Sequence, residues 1–437
     1  MIARAVNHPM GNPPRGFLAG IRLAPGILPR HLHSYLYAAF VTVGLFAFVS
    51  FMQPYLMNVN LGLAPEVQGR TVAALNFANE LIALCLVAPF GALADKIGRR
   101  ALYACGFLWL AAGFLLYPQA RTVAQLTGCS LFFSVGVAAV GTMLGTVLAD
   151  TPQESSRGRM VGVAGFFQGL GAFTFVATLG MVPHWLTRAG VDELAAGRIA
   201  LTIAAALGAV SAVVVLLGLK AGTPSASAPA MPLTRVLREG LAAARRNPRI
   251  WLACLLQFGS FGDRVVLGTF LMLRLQQGWL ERGLSMADAA SRARVPFIAA
   301  MASGLVTALV VGVLLDRIDR MRIGSAAMAL AAASYLACGF IDDPSSGLLL
   351  GVAILVGVGQ IAAIIAGQTL LGQEAPRDLR GAVFGLAGIC ASAAILFSNA
   401  IGGWLYDSVS RGGPFFLLAG VNFAICLFGI RLGRRRG

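Results

Sequence analysis

The sequence predicts an all-α integral membrane protein with twelve transmembrane helices in two pseudo-symmetric six-helix bundles. Of its 437 residues, 57% are hydrophobic and 12% are charged. Soluble domains carry about 25% charged residues, so this chain could not cover a water-facing surface. About twelve apolar runs reach the roughly 20 residues that a spanning helix needs. In addition, two motifs recur in the same order in the two halves of the chain.

The predicted spans form two groups of six. Their limits are 35–57, 71–94, 101–119, 123–149, 160–183, 198–219, 250–273, 295–315, 322–341, 346–371, 380–405 and 413–430. They define an N-terminal tail (1–34), a first bundle (35–219), a linker (220–249), a second bundle (250–430) and a basic tail (431–437).

The linker changes character along its length. Residues 222–232 are small and Pro-rich and are not expected to fold. The next stretch, 233–246, places one set of apolar residues on a single helical face: Leu233, Val236, Leu237 and Leu241. This pattern predicts an amphipathic helix on the membrane surface, which tethers the two bundles. A regulatory binding helix is the alternative.

The basic residues are unevenly distributed. The net charge is +16, from 34 Lys and Arg against 18 Asp and Glu. Such an excess is typical either of nucleic-acid binding or of the positive-inside bias of membrane proteins. Loops that share a side with both termini carry most of the cations, Lys96, Arg159 and Arg320 among them. The pattern favours a multi-pass protein of the bacterial inner membrane, with cytoplasmic termini and no nucleic-acid partner.

Residues that catalysis or metal binding would need are missing from the predicted spans. The seven cysteines lie singly in apolar runs, which is typical of buried free thiols. The four histidines lie outside the predicted spans, and neither HExxH nor GxxxxGK[ST] occurs. We therefore expect no enzyme, no metal site and no cofactor.

The segment GALADKIGRR at 91–100 has a second copy, GVLLDRIDRM, at 312–321. The main aligned pairs are Gly91–Gly312, Asp95–Asp316 and Arg99–Arg320. A further pair of segments, 150–165 and 374–388, matches in the same order. This repetition indicates two homologous halves. Internal repeats of this kind are typical of secondary transporters, whose site lies between the halves near mid-membrane.

GALADKIGRR, between predicted helices two and three, resembles the motif G-x-L-a-D-[RK]-x-G-R-[RK] of the Major Facilitator Superfamily. The resemblance covers essentially the whole chain. It implies a transporter that works by alternating access, with Asp95 against the cytoplasmic start of helix eleven. A carboxylate there would meet unpaired N–H groups, and Gly381 and Gly385 would let the helices approach closely.

The resemblance implies a cytoplasmic gate with a defined set of residues. These are Gly91, Asp95, Gly98, Arg99, Asp150, Asp316, Arg320, Gly381 and Gly385. The second copy departs from the family pattern, since Asp319 and Met321 replace a glycine and a basic residue. Helix five also lacks the G-P-x-x-G-G element of the family's drug exporters. For the cations alone, positive-inside bias is the competing explanation.

Ionisable residues inside predicted spans are costly and are therefore functional candidates. Glu80 lies about 16 Å from Gly91 by helical rise, near mid-membrane. Asn76 lies one turn away on the same face. A carboxyl isolated at that depth could take up and release a proton, which a proton-coupling site requires. A structural hydrogen bond to a neighbouring helix is the alternative.

Asp263 and Arg264 interrupt predicted helix seven. As direct neighbours they cannot pair face to face, so each needs another partner. Arg264 is expected to pair with Glu80 across the two halves, or with an anionic substrate. Asp263 is a second candidate for proton coupling, or faces water at the outer side. A gate salt bridge without a substrate role is the alternative.

The family resemblance also implies that helices one, four, seven and ten line a cavity. It therefore suggests Gln53, Gln257 and Gln360 as substrate contacts beside Asn76 and Arg264, with helix–helix hydrogen bonding as the alternative. The expected function is proton-coupled export of a small organic molecule by a monomer in the bilayer. Proton-coupled uptake of a nutrient or metabolite is the alternative, and a receptor on the same scaffold stays open.

Overall fold

The computed structural model describes residues 21–153, 156–222, 233–315, 317–376 and 379–434. Within these residues the fold is helical, and its only extended pairing is an isolated bridge between Leu23 and Pro152. Twelve helices are long and apolar enough to cross a membrane. They are α1 (Pro29–Asn60), α2 (Pro65–Ile97), α3 (Arg99–Gln119), α4 (Val123–Asp150), α5 (Arg159–Arg188), α6 (Glu193–Gly218), α7 (Pro248–Leu280), α8 (Met286–Gly312), α9 (Arg320–Phe340), α10 (Gly347–Glu374), α11 (Gly381–Ser408) and α12 (Gly413–Arg434).

Successive helices run in opposite directions, so the molecule has two distinct faces. The tail face carries the start of α1, the α2–α3 turn and the end of α12. The distal face carries the α1–α2 and α7–α8 connections. A shorter helix, Leu233–Arg246, lies at the tail face between α6 and α7, and we call it the linker helix.

Local chemistry fixes several helix ends and explains why the two motif copies differ. Gly98 separates α2 from α3 at φ +91°, a left-handed conformation that favours glycine. Its counterpart, Asp319, has φ −55° and caps α9 instead. The Asp319 Oδ1 accepts hydrogen bonds from the backbone N–H of Met321 at 2.7 Å and of Arg322 at 3.4 Å. In the second copy an aspartate N-cap therefore starts the helix, where the first copy uses a glycine in a left-handed conformation.

Each bundle is held by close helix pairs. In the first bundle α1 packs against α5 and α3 packs against α4 and α6; in the second, α9 packs against α10 and α12. Glycines permit two of the closest approaches, at Gly171 beside the Phe40 carbonyl and Gly357 beside the Ala300 carbonyl. A side chain at either glycine would overlap backbone atoms. The two bundles meet mainly through α2 with α11 and α5 with α8.

The linker helix packs against the tail end of α11. Val236 occupies the space beside Gly385, and a side chain on Gly240 would lie 2.9 Å from the Ala382 carbonyl oxygen. The helix therefore uses part of its apolar face to cover α11. This packing ties the linker to the second bundle.

The distal ends of several helices extend beyond the apolar runs that predict them. The predicted eighth span begins at 295, whereas α8 begins at Met286 and includes Asp288, Arg292 and Arg294. Likewise, α7 continues past 273 through Arg274. The Arg274 guanidinium donates to the carbonyl oxygens of Cys338 at 2.9 Å and Ile341 at 2.7 Å, and contacts Asp342 at 2.8 Å. These helices therefore extend past their apolar runs, where polar side chains such as Arg274 find hydrogen-bond partners.

Candidate functional site

Helices α2 and α11 are in contact in their distal halves and separate towards the tail face. Gly69 lies against Tyr406 and Asp407, and Gly403 lies against Ala73. On the tail side, a side chain added at Gly388, Gly381 or Gly91 would meet no other helix within 4 Å. At these positions the two helices are in contact on the distal side and apart on the tail side.

A polar cluster joins the two bundles at the distal ends of α2, α7 and α11. The Gln277 Nε2 donates to the Pro65 carbonyl and to the Gln68 Oε1, both at 3.1 Å. Its Oε1 accepts from the Tyr406 hydroxyl at 2.7 Å. The Arg70 backbone N–H donates to the Asp407 carboxylate at 2.6 Å, and the Arg70 guanidinium contacts Ser408. This cluster closes the distal side, and we call it the distal gate.

A second set of contacts across the bundles joins the distal ends of α5 and α6 to α8. The His184 Nδ1 lies 2.8 Å from the Asp288 carboxylate. The Glu193 Oε1 accepts from the Ala287 backbone N–H at 3.0 Å, and Arg294 donates to the Ala177 carbonyl at 3.0 Å. These contacts close the other distal edge of the space between the bundles.

Glu80 lies where α2 and α11 part. It is half-buried, and Ser392 of α11 lies beside its carboxyl. Ser392 lies one turn from Gly388, where the space beside α11 is already open. The carboxyl predicted as a coupling group therefore lies at the level where α2 and α11 separate: the two helices are in contact on its distal side and apart on its tail side.

The structure places Asp263 and Arg264 on different sides of α7. Asp263 is fully buried; its Oδ1 accepts from Asn422 of α12 at 2.7 Å, and its backbone carbonyl accepts from the Tyr335 hydroxyl of α9 at 2.7 Å. Arg264 is exposed, and its guanidinium carbon lies 4.6 Å from the centre of the Phe261 ring. Within the described residues, Arg264 makes no ion pair with Glu80. Asp263 thus faces the interior of the second bundle, which favours a structural role.

The polar residues suggested as substrate contacts are engaged by neighbouring helices. The Gln53 Nε2 donates to the Asn76 Oδ1 at 3.0 Å, and the Asn76 Nδ2 donates to the Thr269 hydroxyl at 3.2 Å. This chain links α1, α2 and α7 across the bundles. Gln360 of α10 reaches the Ser260 carbonyl at 3.4 Å, while Gln257 is buried where α7 passes Gly367. In this conformation Gln53, Asn76 and Gln360 join helices, and Gln257 packs between two of them.

The predicted gate residues at the tail face do not form one cluster in this structure. The Asp95 side chain is 47% exposed and lies 4.0 Å from Arg99, which also pairs with Asp150 at the end of α4. Gly385 contacts Val236 of the linker helix in place of Asp95. Arg320 hydrogen-bonds to Gln373. Asp316 lies outside the described residues.

The family resemblance predicts an Asp95–helix eleven contact when the tail face is closed, so cysteines at both positions should report that state. We expect Asp95→Cys with Gly381→Cys to cross-link weakly in the conformation seen here and strongly when the tail side closes. Ala73→Cys with Gly403→Cys is the matched pair, since it lies in the distal contact and should behave in the opposite way. A cross-linker series on membranes measures both. Failure of the Asp95–Gly381 pair to link in any state would contradict the predicted contact.

Sequence reasoning did not find the distal gate. Its residues are ordinary for helix ends, and Gln68, Gln277 and Tyr406 are far apart in the chain. The sequence feature that could have indicated this contact is the pair Gly69 and Gly403, since small residues permit close helix contact in membranes. That signal is weak in a chain with 53 glycines.

Comparison with known proteins extends the likeness to the whole chain. The sequence profile of the Major Facilitator Superfamily matches residues 34–303 and 286–436. The magnetosome protein MamH of Paramagnetospirillum magneticum is 28% identical over 418 residues, which are 93% of each chain. The magnetosome protein MamZ of Magnetospirillum gryphiswaldense is 25% identical over 400 residues, which are 86% of this chain and 58% of MamZ.

The fold also matches a solved structure. A POT family transporter in complex with 5-aminolevulinic acid superimposes with a TM-score of 0.72 and 13% identity, over 97% of this chain and 98% of the transporter. Identity this low shows a shared fold alone. Twelve spans in two bundles, the repeated motif and the profile match over nearly all of the chain agree: the protein belongs to the Major Facilitator Superfamily, and it is a membrane transporter, not an enzyme.

Proposed function

We propose that this transporter exports a small organic molecule across the bacterial inner membrane by alternating access, in exchange for protons. The observation that carries the proposal is the position of Glu80. Its carboxyl lies at the vertex where α2 and α11 separate, in contact with Ser392 of the opposite bundle. A titratable group between two bundles that move relative to each other exchanges protons with only one side of the membrane in each conformation.

Desolvation provides the coupling. When both sides are closed around Glu80, an ionised carboxylate would lose its contact with water, at an effective cost of several kcal/mol. A protonated carboxyl avoids most of this cost. Without substrate, the bundles therefore pass through the closed intermediate more readily with Glu80 protonated. Exchange further requires that bound substrate takes the place of the proton on the return step. A proton bound from the distal side would be released at the tail side, where the space is open.

The orientation is compatible with export and equally with uptake, because every alternating-access transporter opens to the cytoplasm in one conformation; the flux assay decides the direction. The basic residues predict that the tail face is cytoplasmic. With the distal gate shut and the tail side open, the observed conformation then faces the cytoplasm. The magnetosome relatives and the structural neighbour do not identify the substrate. Its class has to be inferred from the residues between the bundles.

Proteoliposomes test this proposal. Compounds that stabilise the purified protein thermally would be assayed for flux with imposed pH gradients, against protein-free vesicles. An exchanger accumulates substrate in vesicles that are acidic inside, because substrate moves against the proton flow. Accumulation only in vesicles acidic outside would identify proton-coupled uptake instead. Flux that no gradient changes would refute proton coupling in either direction.

A further inference from the structure

We infer that Arg264 and the exposed stripe of α7 bind the substrate and select an organic monoanion with an apolar, preferably aromatic, body. The inference rests on the proposed transport function and adds a substrate class to it. Its basis is the environment of one side chain. Arg264 is an exposed cation in the middle of a helix that its neighbours otherwise enclose.

Helix α7 is packed on most of its surface. It contacts α10, α11, α12 and the linker helix, and its distal part also contacts α1 and α8. The positions that keep access to open space recur at helical spacing: Phe258, Phe261, Arg264 and Gly268 are partly or largely exposed. These residues form one stripe, which we call the α7 stripe. It presents two aromatic rings, one cation and a glycine.

The charge of Arg264 has no counter-ion among the described residues. Its neighbour is the Phe261 ring, with the guanidinium carbon 4.6 Å from the ring centre. A cation–π contact of this kind leaves the five N–H donors of the guanidinium for other partners. The arrangement holds the guanidinium in place without neutralising it.

Another arginine of the same helix shows what a structural role looks like here. Arg274 is 6% exposed, and it donates to the carbonyls of Cys338 and Ile341 and to the Asp342 carboxylate. The fold therefore supplies full partners to an arginine that supports structure. Arg264 has none of these, so its anionic partner is expected to come from outside the chain.

The surroundings of Arg264 narrow the chemistry of that partner. Phe258 and Phe261 flank the cation on its tail side, and Phe258 packs against Phe397 of α11 with 5.7 Å between the centres of the tilted rings. One turn further along, a side chain at Gly268 would meet no other helix within 4 Å, which leaves room beside the guanidinium. One fixed positive charge beside aromatic rings fits one carboxylate, sulfonate or phosphate diester on an apolar body.

Binding to the purified full-length protein in nanodiscs tests the inference without a gradient or flux. The probes are 1-naphthoate, the corresponding sulfonate and methyl phosphate diester, and neutral 1-naphthamide. We expect the anions to raise the Tm and the amide to have little effect. Arg264→Gln should weaken 1-naphthoate binding at least about tenfold. Arg282→Gln is the matched control, since Arg282 pairs with Asp343 at the distal surface, and it should bind as the wild type does.

The wild type alone can also decide the question if Arg264→Gln does not fold. Equal stabilisation by 1-naphthoate and 1-naphthamide, or no stabilisation by any of the three anions, would overturn the inference. So would unchanged anion affinity in a folded Arg264→Gln. The proposed function fails differently: a protein that binds the anions through Arg264 but moves them independently of pH keeps this site and loses proton coupling.

Discussion

Glu80→Gln is expected to uncouple transport from the pH gradient while leaving substrate binding close to that of the wild type. Glutamine has the shape of the protonated acid and can hydrogen-bond to Ser392, so the joint between α2 and α11 should form normally. It cannot release a proton to the open tail side. The variant should therefore equilibrate substrate across the membrane and fail to concentrate it.

The measurement compares gradient-driven accumulation with exchange at equal pH in proteoliposomes. Glu66→Gln is the matched control, because Glu66 lies on the same helix at its exposed distal start and should keep wild-type coupling. Ser392→Ala keeps the carboxyl and removes its partner, so it should stay coupled with a changed pH dependence. If Glu80→Gln accumulates substrate as the wild type does, Glu80 is not the coupling group.

The number and order of the spanning helices could be predicted from the sequence because the bilayer sets them locally. Each span needs its own apolar run, whatever the other helices do. The helix ends were less predictable. The first turns of α8 carry Asp288, Arg292 and Arg294, so a hydropathy criterion leaves these turns out of the span. In the structure, Asp288 and Arg294 find partners in the first bundle.

The site was only partly predictable, for a geometric reason. The cost of burying charge is visible in a sequence, and it marked Glu80, Asp263 and Arg264 as unusual. Which of them faces the cavity depends on rotation about α7 and on the helices packed around it. Adjacent residues point about 100° apart on a helix, so Asp263 reaches Asn422 of α12 while Arg264 remains exposed. Sequence spacing alone could not separate the two.

The pairing of α2 with α11 is likewise non-local. The register that brings Gly69 to Tyr406 and Gly403 to Ala73 is set by the packing of whole bundles. The glycines assigned to the tail-side gate, Gly381 and Gly91, are apart in this conformation. The sequence provides small residues for close contact at both ends of α2 and α11, and the conformation decides which end is in contact.

Filling the distal contact should therefore shift the protein towards the opposite conformation. Gly403→Leu would place a side chain against Ala73, with its Cβ only 3.1 Å from the Gly69 carbonyl oxygen. Overpacking of this kind typically costs about 1–3 kcal/mol, and the cost applies only while the distal side is closed. The ratio of distal-closed to distal-open molecules should fall by about fivefold to more than a hundredfold, since 1.4 kcal/mol corresponds to a factor of ten.

Spin labels at two exposed distal positions, Val67 on α2 and Val409 after α11, would measure this shift as a longer inter-label distance. Gly351→Leu is the matched control, because Gly351 meets no other helix within 4 Å and its replacement should leave the distance distribution unchanged. Transport should fall in Gly403→Leu, since a cycle that cannot close its distal side cannot open its tail side to bind substrate. A Gly403→Leu protein with the wild-type distance distribution and wild-type flux would mean that this contact does not control the distal gate.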